Sequence, residues 1–269
     1  MMIRASAGTA SQVDPECLAF PLRSRWLIVA RLFTIAAGLL AITWGLAVFP
    51  SSWRMSLVQP VADEILAGEP FKTETLLPLM PTIERVERAA NCDPAALRSA
   101  AVIRLYISER DALSSTLRAL VPSPADIIRR SLTCTPTDSF LWLALFSAEK
   151  AQNGLRNDQF QSLRMSYQLG PHEGWIALKR NRVVVPILDQ LPADLAAAAV
   201  NEFTELVDDG LYTDAADILL SAGLEVRDRL VLGLVRVRDR SLEQFAGVLH
   251  ARGYDLPRTS GANQRRGTE

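Results

Sequence analysis

Apolar positions fall into two regimes along the chain. Residues 32–53 form a run without a charge, and extending it back to Trp26 adds only Arg31. The stretch matches the roughly 20 apolar residues that a helix needs to cross hydrocarbon. Leu32, Phe33, Ile35, Leu39, Leu40, Ile42, Leu46, Val48 and Phe49 leave no polar stripe, whereas a buried soluble helix of this length carries an amphipathic face. The pattern predicts a transmembrane helix over 26–49 that Pro50 ends. Past Pro50 come short segments of helical period, punctuated by Pro and Gly. A short helix is expected over 61–67, inside a juxtamembrane linker spanning 50–72. Further helices are expected over 73–90, 94–109, 111–120, 124–133, 138–152, 157–169, 172–188, 193–209, 213–221, 226–237 and 240–252, with strand signals nearly absent. Residues 1–25 read as an N-terminal tail and 73–256 as one helical domain. Residues 257–269, without a large apolar side chain after Pro257, read as a disordered tail.

The ends of the apolar run carry interfacial residues. Trp26 on one side, and Trp44 and Trp53 toward the other, suit the headgroup preference of indole, while Arg31 can snorkel back to the same level. Arg23 and Arg25, with Arg4 further off, precede the run and only Arg54 follows closely, so positive-inside retention predicts a cytoplasmic N-terminus and an outward-facing domain. The run exceeds the about 7–15 residues of a signal peptide, and Gly45-Leu46-Ala47 is a poor cleavage site, which favours a retained anchor over a cleaved leader. Ala37, Ala41 and Gly45 recur at four-residue spacing, the arrangement that lets membrane helices pair closely and that makes a homo-oligomer a candidate state.

Beyond the anchor the pattern repeats. Pro136 and Pro171 lie about 35 residues apart, as do Trp142 and Trp175 to within two residues, close to the period of a helix-turn-helix repeat. Ser131-Leu132 precedes the first of these prolines as Ser166-Tyr167 precedes the second. With Trp142 and Ala144 in one helix, Gly154 near a turn, and Ser166-Tyr167-Gln168-Leu169-Gly170-Pro171 closing a second helix, the chain resembles the tetratricopeptide-repeat family over about 35 residues. It departs from that family in lacking the small residue midway in the second helix, and the Pro94 to Pro136 interval requires an insertion. The resemblance implies an all-α fold in which stacked helical hairpins form a solenoid and present a concave surface to a partner. Trp142, Phe146, Phe160, Tyr167 and Trp175 are expected mainly as repeat core. Trp142, Tyr167 and Trp175, with Arg180 and Arg182, are the candidates for a groove.

The formal net charge is −1, which gives no bulk attraction to nucleic acid. Basic residues are almost all Arg, with Lys only at 72, 150 and 179; with the many Ala, this suggests the codon usage of a GC-rich bacterium. Of the three cysteines, Cys17 precedes the span, whereas Cys92 and Cys134 follow it and enter an oxidising compartment if the orientation holds. Cys92-Asp93-Pro94 and Cys134-Thr135-Pro136 each set a thiol two residues before a Pro, making a Cys92–Cys134 disulfide a candidate beside two buried free thiols. His172 and His250 lie far apart without clustered ligands, so no zinc spacing occurs and no metal or cofactor is expected. Glu202, Glu205, Asp208 and Asp209 read as the solvated side of a helix ahead of metal or acid–base chemistry, and Arg236, Arg238 and Arg240 as a solvated terminus ahead of an anion or polysaccharide site.

These features favour a non-catalytic scaffold or interaction protein. It would be anchored once in a bacterial inner membrane with its helical domain in the periplasm, bind a protein partner, and by analogy support envelope polysaccharide production or export. Two alternatives stand beside it. One is an enzyme subunit with an unrecognised site around His172, Arg180 and Arg182; the other is a secreted carbohydrate- or peptide-binding protein.

Overall fold

The structure is a computed structural model that describes residues 20–89, 92–110 and 123–257, with side chains described over 26–46, 58–72, 74–89, 92–109 and 123–257. The expected helix over 111–120, Cys17, residues 1–19 and residues 258–269 lie outside the described residues, as does the side chain of Trp53; residues 20–25, read from the sequence as part of the N-terminal tail, are helical. All described regular elements are helical. The chain divides into two compact units, Met1–Leu57 and Val58–Glu269.

Helix α1 runs from Phe20 to Ala67. Its stretch Trp26–Leu46 is long and apolar enough to cross a membrane, and every side chain along it is exposed. The two threonines inside the stretch do not add free donors. Thr34 Oγ1 donates to the Arg31 carbonyl at 2.9 Å, and Thr43 Oγ1 to the carbonyls of Leu39 and Leu40 at 3.0 and 2.9 Å, which suits an environment without water. Arg31, Trp26 and Trp44 are exposed, and around Gly45 nothing stands within 4 Å of where a Cβ would sit.

Pro50 does not end this helix, contrary to the sequence expectation, and neither does Pro60. A proline removes one backbone donor and crowds one carbonyl, a local loss that a helix absorbs when its downstream turns are held by other contacts. Those contacts belong to the second unit, where Val58, Ala62 and Ile65 are buried at helical spacing. The segment assigned to a linker is therefore helical as far as Ala67, and Gly68, at φ 98°, allows the turn that follows.

The second unit continues with α2 (Thr73–Leu76), a 3₁₀ turn Leu77–Leu79, α3 (Met80–Arg88), α4 (Pro94–Arg110), α5 (Pro124–Cys134) and α6 (Ser139–Asn153). It goes on through α7 (Phe160–Leu169), α8 (Gly174–Val184), α9 (Ala193–Asp208), α10 (Tyr212–Ser221), α11 (Leu224–Gly233) and α12 (Asp239–His250). Prolines explain two departures from the expected boundaries. Pro78 and Pro81 break the expected helix 73–90 into α2, a 3₁₀ turn and α3, and Pro186 converts the end of 172–188 into the 3₁₀ segment Val185–Gln190. Sequence neighbours pack against one another, most extensively α4 with α5, α5 with α6, α6 with α7, and α8 with α9. Alternate helices also touch: α4 with α6, α6 with α8, α8 with α10, α10 with α12, and α7 with α9, α9 with α11.

Helix α6 is buried on nearly every side from Ser139 to Ala148, Trp142 excepted. Its Phe146 packs 6.4 Å from the ring of Phe160, and Phe203 of α9 meets Phe245 of α12 edge-on at 6.3 Å. The period seen in the sequence has a packing consequence at Gly170, where a Cβ would stand 2.5 Å from Ser139 Oγ and 2.8 Å from Ser139 Cβ. Only glycine lets the end of α7 pass the start of α6 at this distance.

Arginines close the ends of other helices. The last carbonyls of a helix have no partner within it and carry the negative end of its dipole. Arg130 of α5 donates to the carbonyls of Glu87 and Ala89 at the end of α3, Arg227 of α11 to those of Leu219, Leu220 and Ala222 at the end of α10, and Arg238 to that of Asp208 at the end of α9. Arg180 of α8 does the same for α7. Much of the arginine content thus has a structural use. Cys92 and Cys134 are joined by a disulfide with Cα atoms 5.9 Å apart, beside the Arg130 contacts, so α5 is tied covalently to the segment that precedes α4.

Candidate functional site

The five candidate groove residues do not share one surface. Arg180 is fully buried. Its guanidinium donates to Glu202 Oε1 from Nε at 2.9 Å and from Nη2 at 2.5 Å, to the Ser166 carbonyl at 2.7 Å, and to the Gly170 carbonyl at 2.6 Å. It also lies 4.6 Å from the Tyr167 ring centroid. Asn181 Nδ2 donates to the other Glu202 oxygen at 2.9 Å. Arg180 and Tyr167 therefore belong to the α7–α8–α9 packing and not to a groove.

Glu202, expected on a solvated face, is the buried acceptor of this network, while Glu205 and Asp209 are exposed. Burial raises the Glu202 carboxyl above the ordinary glutamate range, opposed by the hydrogen bonds and charge of Arg180. Burial also raises the Tyr167 phenol, with the Glu202 charge adding to it. The charge of Arg180 offered no sequence signal of burial, because only the helix ends it meets make its desolvation tolerable.

The other candidates are dispersed. Trp142 is half-buried and its Nε1 donates to the Pro136 carbonyl at 2.8 Å, a local clasp across the turn that precedes α6. Trp175 is 41% exposed and its ring lies 5.6 Å from that of Phe140. Arg182 is exposed and bonds Asp214 at 2.7 Å. His172 is exposed, 3.9 Å from Glu205, and separated in environment from the buried Arg180. Arg236 bonds Asn201 and Arg238 bonds Asp208, whose carboxyl is held below the usual aspartate range, chiefly by the Arg238 backbone N–H. Among the described residues no three His, Cys, Asp or Glu side chains converge as a metal would require.

What the structure does bring together is a cavity of about 240 Å³ that sequence reasoning did not single out. It lies within the second unit, bounded by Ile65 and Leu66 of α1, residues of α4 and α6, and Lys179, Arg182 and Val183 of α8. Val102, Leu105, Phe140, Leu143 and Ala144 give it an apolar floor, and Glu109, Lys179 and Arg182 give it charged walls. Tyr106 lines it too and is held in place through Phe71, whose N–H donates to Tyr106 Oη at 2.6 Å while that hydroxyl donates to the Phe71 carbonyl at 3.1 Å.

Lys150 stands beside this cavity, its Nζ 3.5 Å from the Val183 carbonyl and 5.9 Å from the Phe146 ring centroid. Glu109 and Lys179 make no hydrogen bond or ion pair with another described residue. Glu109 keeps one side toward solvent, yet protein packed around its carboxyl raises it above the ordinary range, against the lowering charges of Lys179 and Lys150. Burial likewise lowers both lysines, Arg182 lowering Lys179 further and Glu109 opposing both shifts. Two of the three lysines of an arginine-rich chain thus meet at one place. Their scarcity was visible in the sequence, but their convergence from α6 and α8 was not.

A larger hollow of about 290 Å³ over Arg129, Glu149, Arg156 and Asp158 differs in kind, because its charges are already paired with one another. No protein-family model matches the chain, and neither does any curated protein or solved structure.

Proposed function

We propose that this protein is a membrane-tethered interaction module, with α1 as a single inner-membrane anchor, a cytoplasmic N-terminus and the helical domain in the periplasm. The observation that carries the tether is the exposure of every side chain along Trp26–Leu46, which leaves a continuous apolar surface without a protein partner among the described residues. Charge asymmetry around the run supports the direction, since Arg23 and Arg25 lie on its N-terminal side. A disulfide between Cys92 and Cys134 suits an oxidising compartment.

The module itself is read as an array of helical hairpins similar to tetratricopeptide repeats. Two sets of contacts support this: neighbouring helices pair, and helices two apart, α4, α6, α8, α10 and α12, touch in succession. The array's task is to hold a partner protein in the envelope, with support of polysaccharide production or export as the analogy that suits it. Protease shaving of right-side-out spheroplasts tests the topology. Degradation of the domain in protease-treated intact spheroplasts, with recovery of the full chain in carbonate-washed membranes of untreated ones, is the expected result. A domain protected until the membrane is opened, or a chain released by carbonate, overturns it.

A further inference from the structure

The cavity bounded by α1, α4, α6 and α8 combines three features that rarely meet without use. Its floor is apolar, two of its wall charges, Glu109 and Lys179, have no partner at contact distance among the described residues, and its mouth is open to solvent. Lysines prefer to keep their ammonium groups in water, so placing both Lys150 and Lys179 where protein desolvates them costs stability unless something offsets it. Glu109 does not offset it by contact, because no ion pair joins it to either lysine among the described residues. Arg182 already spends one nitrogen on Asp214, which cancels its charge and leaves Lys150 and Lys179 against Glu109, one cation in excess. Charge complementarity and the floor together specify an anion joined to a short apolar chain, of a size that about 240 Å³ accommodates.

We propose that this cavity is a binding site for a small anionic amphiphile, a carboxylate or phosphate monoester on a short apolar chain. The anionic head sits against Lys179, with Lys150 adding long-range attraction from beside the cavity. The chain lies on Leu105, Phe140 and Leu143. Trp175, in contact with Phe140, is the natural reporter of occupancy. The site stands independently of whether the helical domain also docks a protein.

Titration calorimetry on the full-length chain in lipid nanodiscs, with empty nanodiscs as reference, tests the site using hexanoate, hexyl phosphate and hexanol. At least one of the two anions is expected to bind saturably, roughly at millimolar affinity or tighter, with quenching of tryptophan emission and with hexanol at least about tenfold weaker. Binding of only one anion identifies which headgroup the site takes. Lys179→Gln is expected to weaken that anion by about tenfold, the value of one charge-assisted contact, and to leave hexanol unchanged. Glu109→Gln is expected to tighten it by removing the opposing charge, a gain that misfolding cannot produce. Absence of saturable heat with both anions overturns the proposal. Hexanol binding as tightly as the anions, or affinities that neither variant changes, does the same.

Discussion

Helix α1 over Trp26–Leu46 and helix α6 are both apolar on nearly all sides, yet they solve opposite problems. In α6, Phe140, Leu141, Leu143, Leu145 and Phe146 are buried because α4, α5, α7 and α8 surround it. In α1, Leu32, Phe33, Ile35, Leu39 and Leu40 are each more than half exposed. Composition alone does not separate the two. What separates them is length without interruption, because α6 is bounded within 15 residues by the Asp138 cap, which accepts from the Leu141 N–H at 3.1 Å, and by Gly154 at φ 72°. A helix of that length cannot cross hydrocarbon and must find its apolar solvent in other helices.

The sharpest break of this comparison is truncation in each helix. Phe146→Ala is expected to cost the domain about 3–5 kcal/mol by leaving a cavity beside Phe160, whereas Phe33→Ala should leave its denaturation midpoint unchanged. Urea unfolding followed by near-ultraviolet circular dichroism reads both. Reduction of the Cys92–Cys134 disulfide, which closes a loop of 42 residues, should cost the domain about 3–4 kcal/mol and leave membrane retention alone. Conversely, Ile35→Arg adds about 2.5–3.5 kcal/mol to insertion of the span and should shift the chain out of carbonate-washed membranes without altering the thermal transition of the domain.

Gly170→Ala should destabilise by about 1–3 kcal/mol through overlap with Ser139, with much of the loss recovered in Gly170→Ala combined with Ser139→Gly. The smallest effect is on pH. Because the Glu109 carboxyl is raised, the folded chain holds that proton more tightly than the unfolded one. Its contribution is therefore full below the ordinary glutamate range and lost as pH climbs through the raised folded value. Carbon-detected titration should find the Glu109 midpoint above the ordinary glutamate range, and Lys179→Gln should move it higher still.

Much of this architecture was legible in the residues. The uncharged run, the prolines that start α4 and α5, and the 3.6-residue apolar spacing marked nearly every described helix, since each is a local signal. Pro50 misled because its local cost was weighed without Val58, Ala62 and Ile65, whose burial holds the downstream turns. Glu202 misled for a similar reason: carboxylates at helical spacing suggest a wet face until a guanidinium arrives from another helix.

The sequence by itself determined the all-helical character, the apolar segment and the punctuation between helices, because backbone preference and uninterrupted hydrophobicity act over a few neighbouring residues. Only the tertiary structure decided which charges are interior. It buried Arg180 against the end of α7, and it gathered Glu109, Lys179 and Arg182 over one apolar floor with Lys150 beside it. Those placements depend on desolvation and on contacts between residues that are distant along the chain, and neither quantity exists until the helices pack.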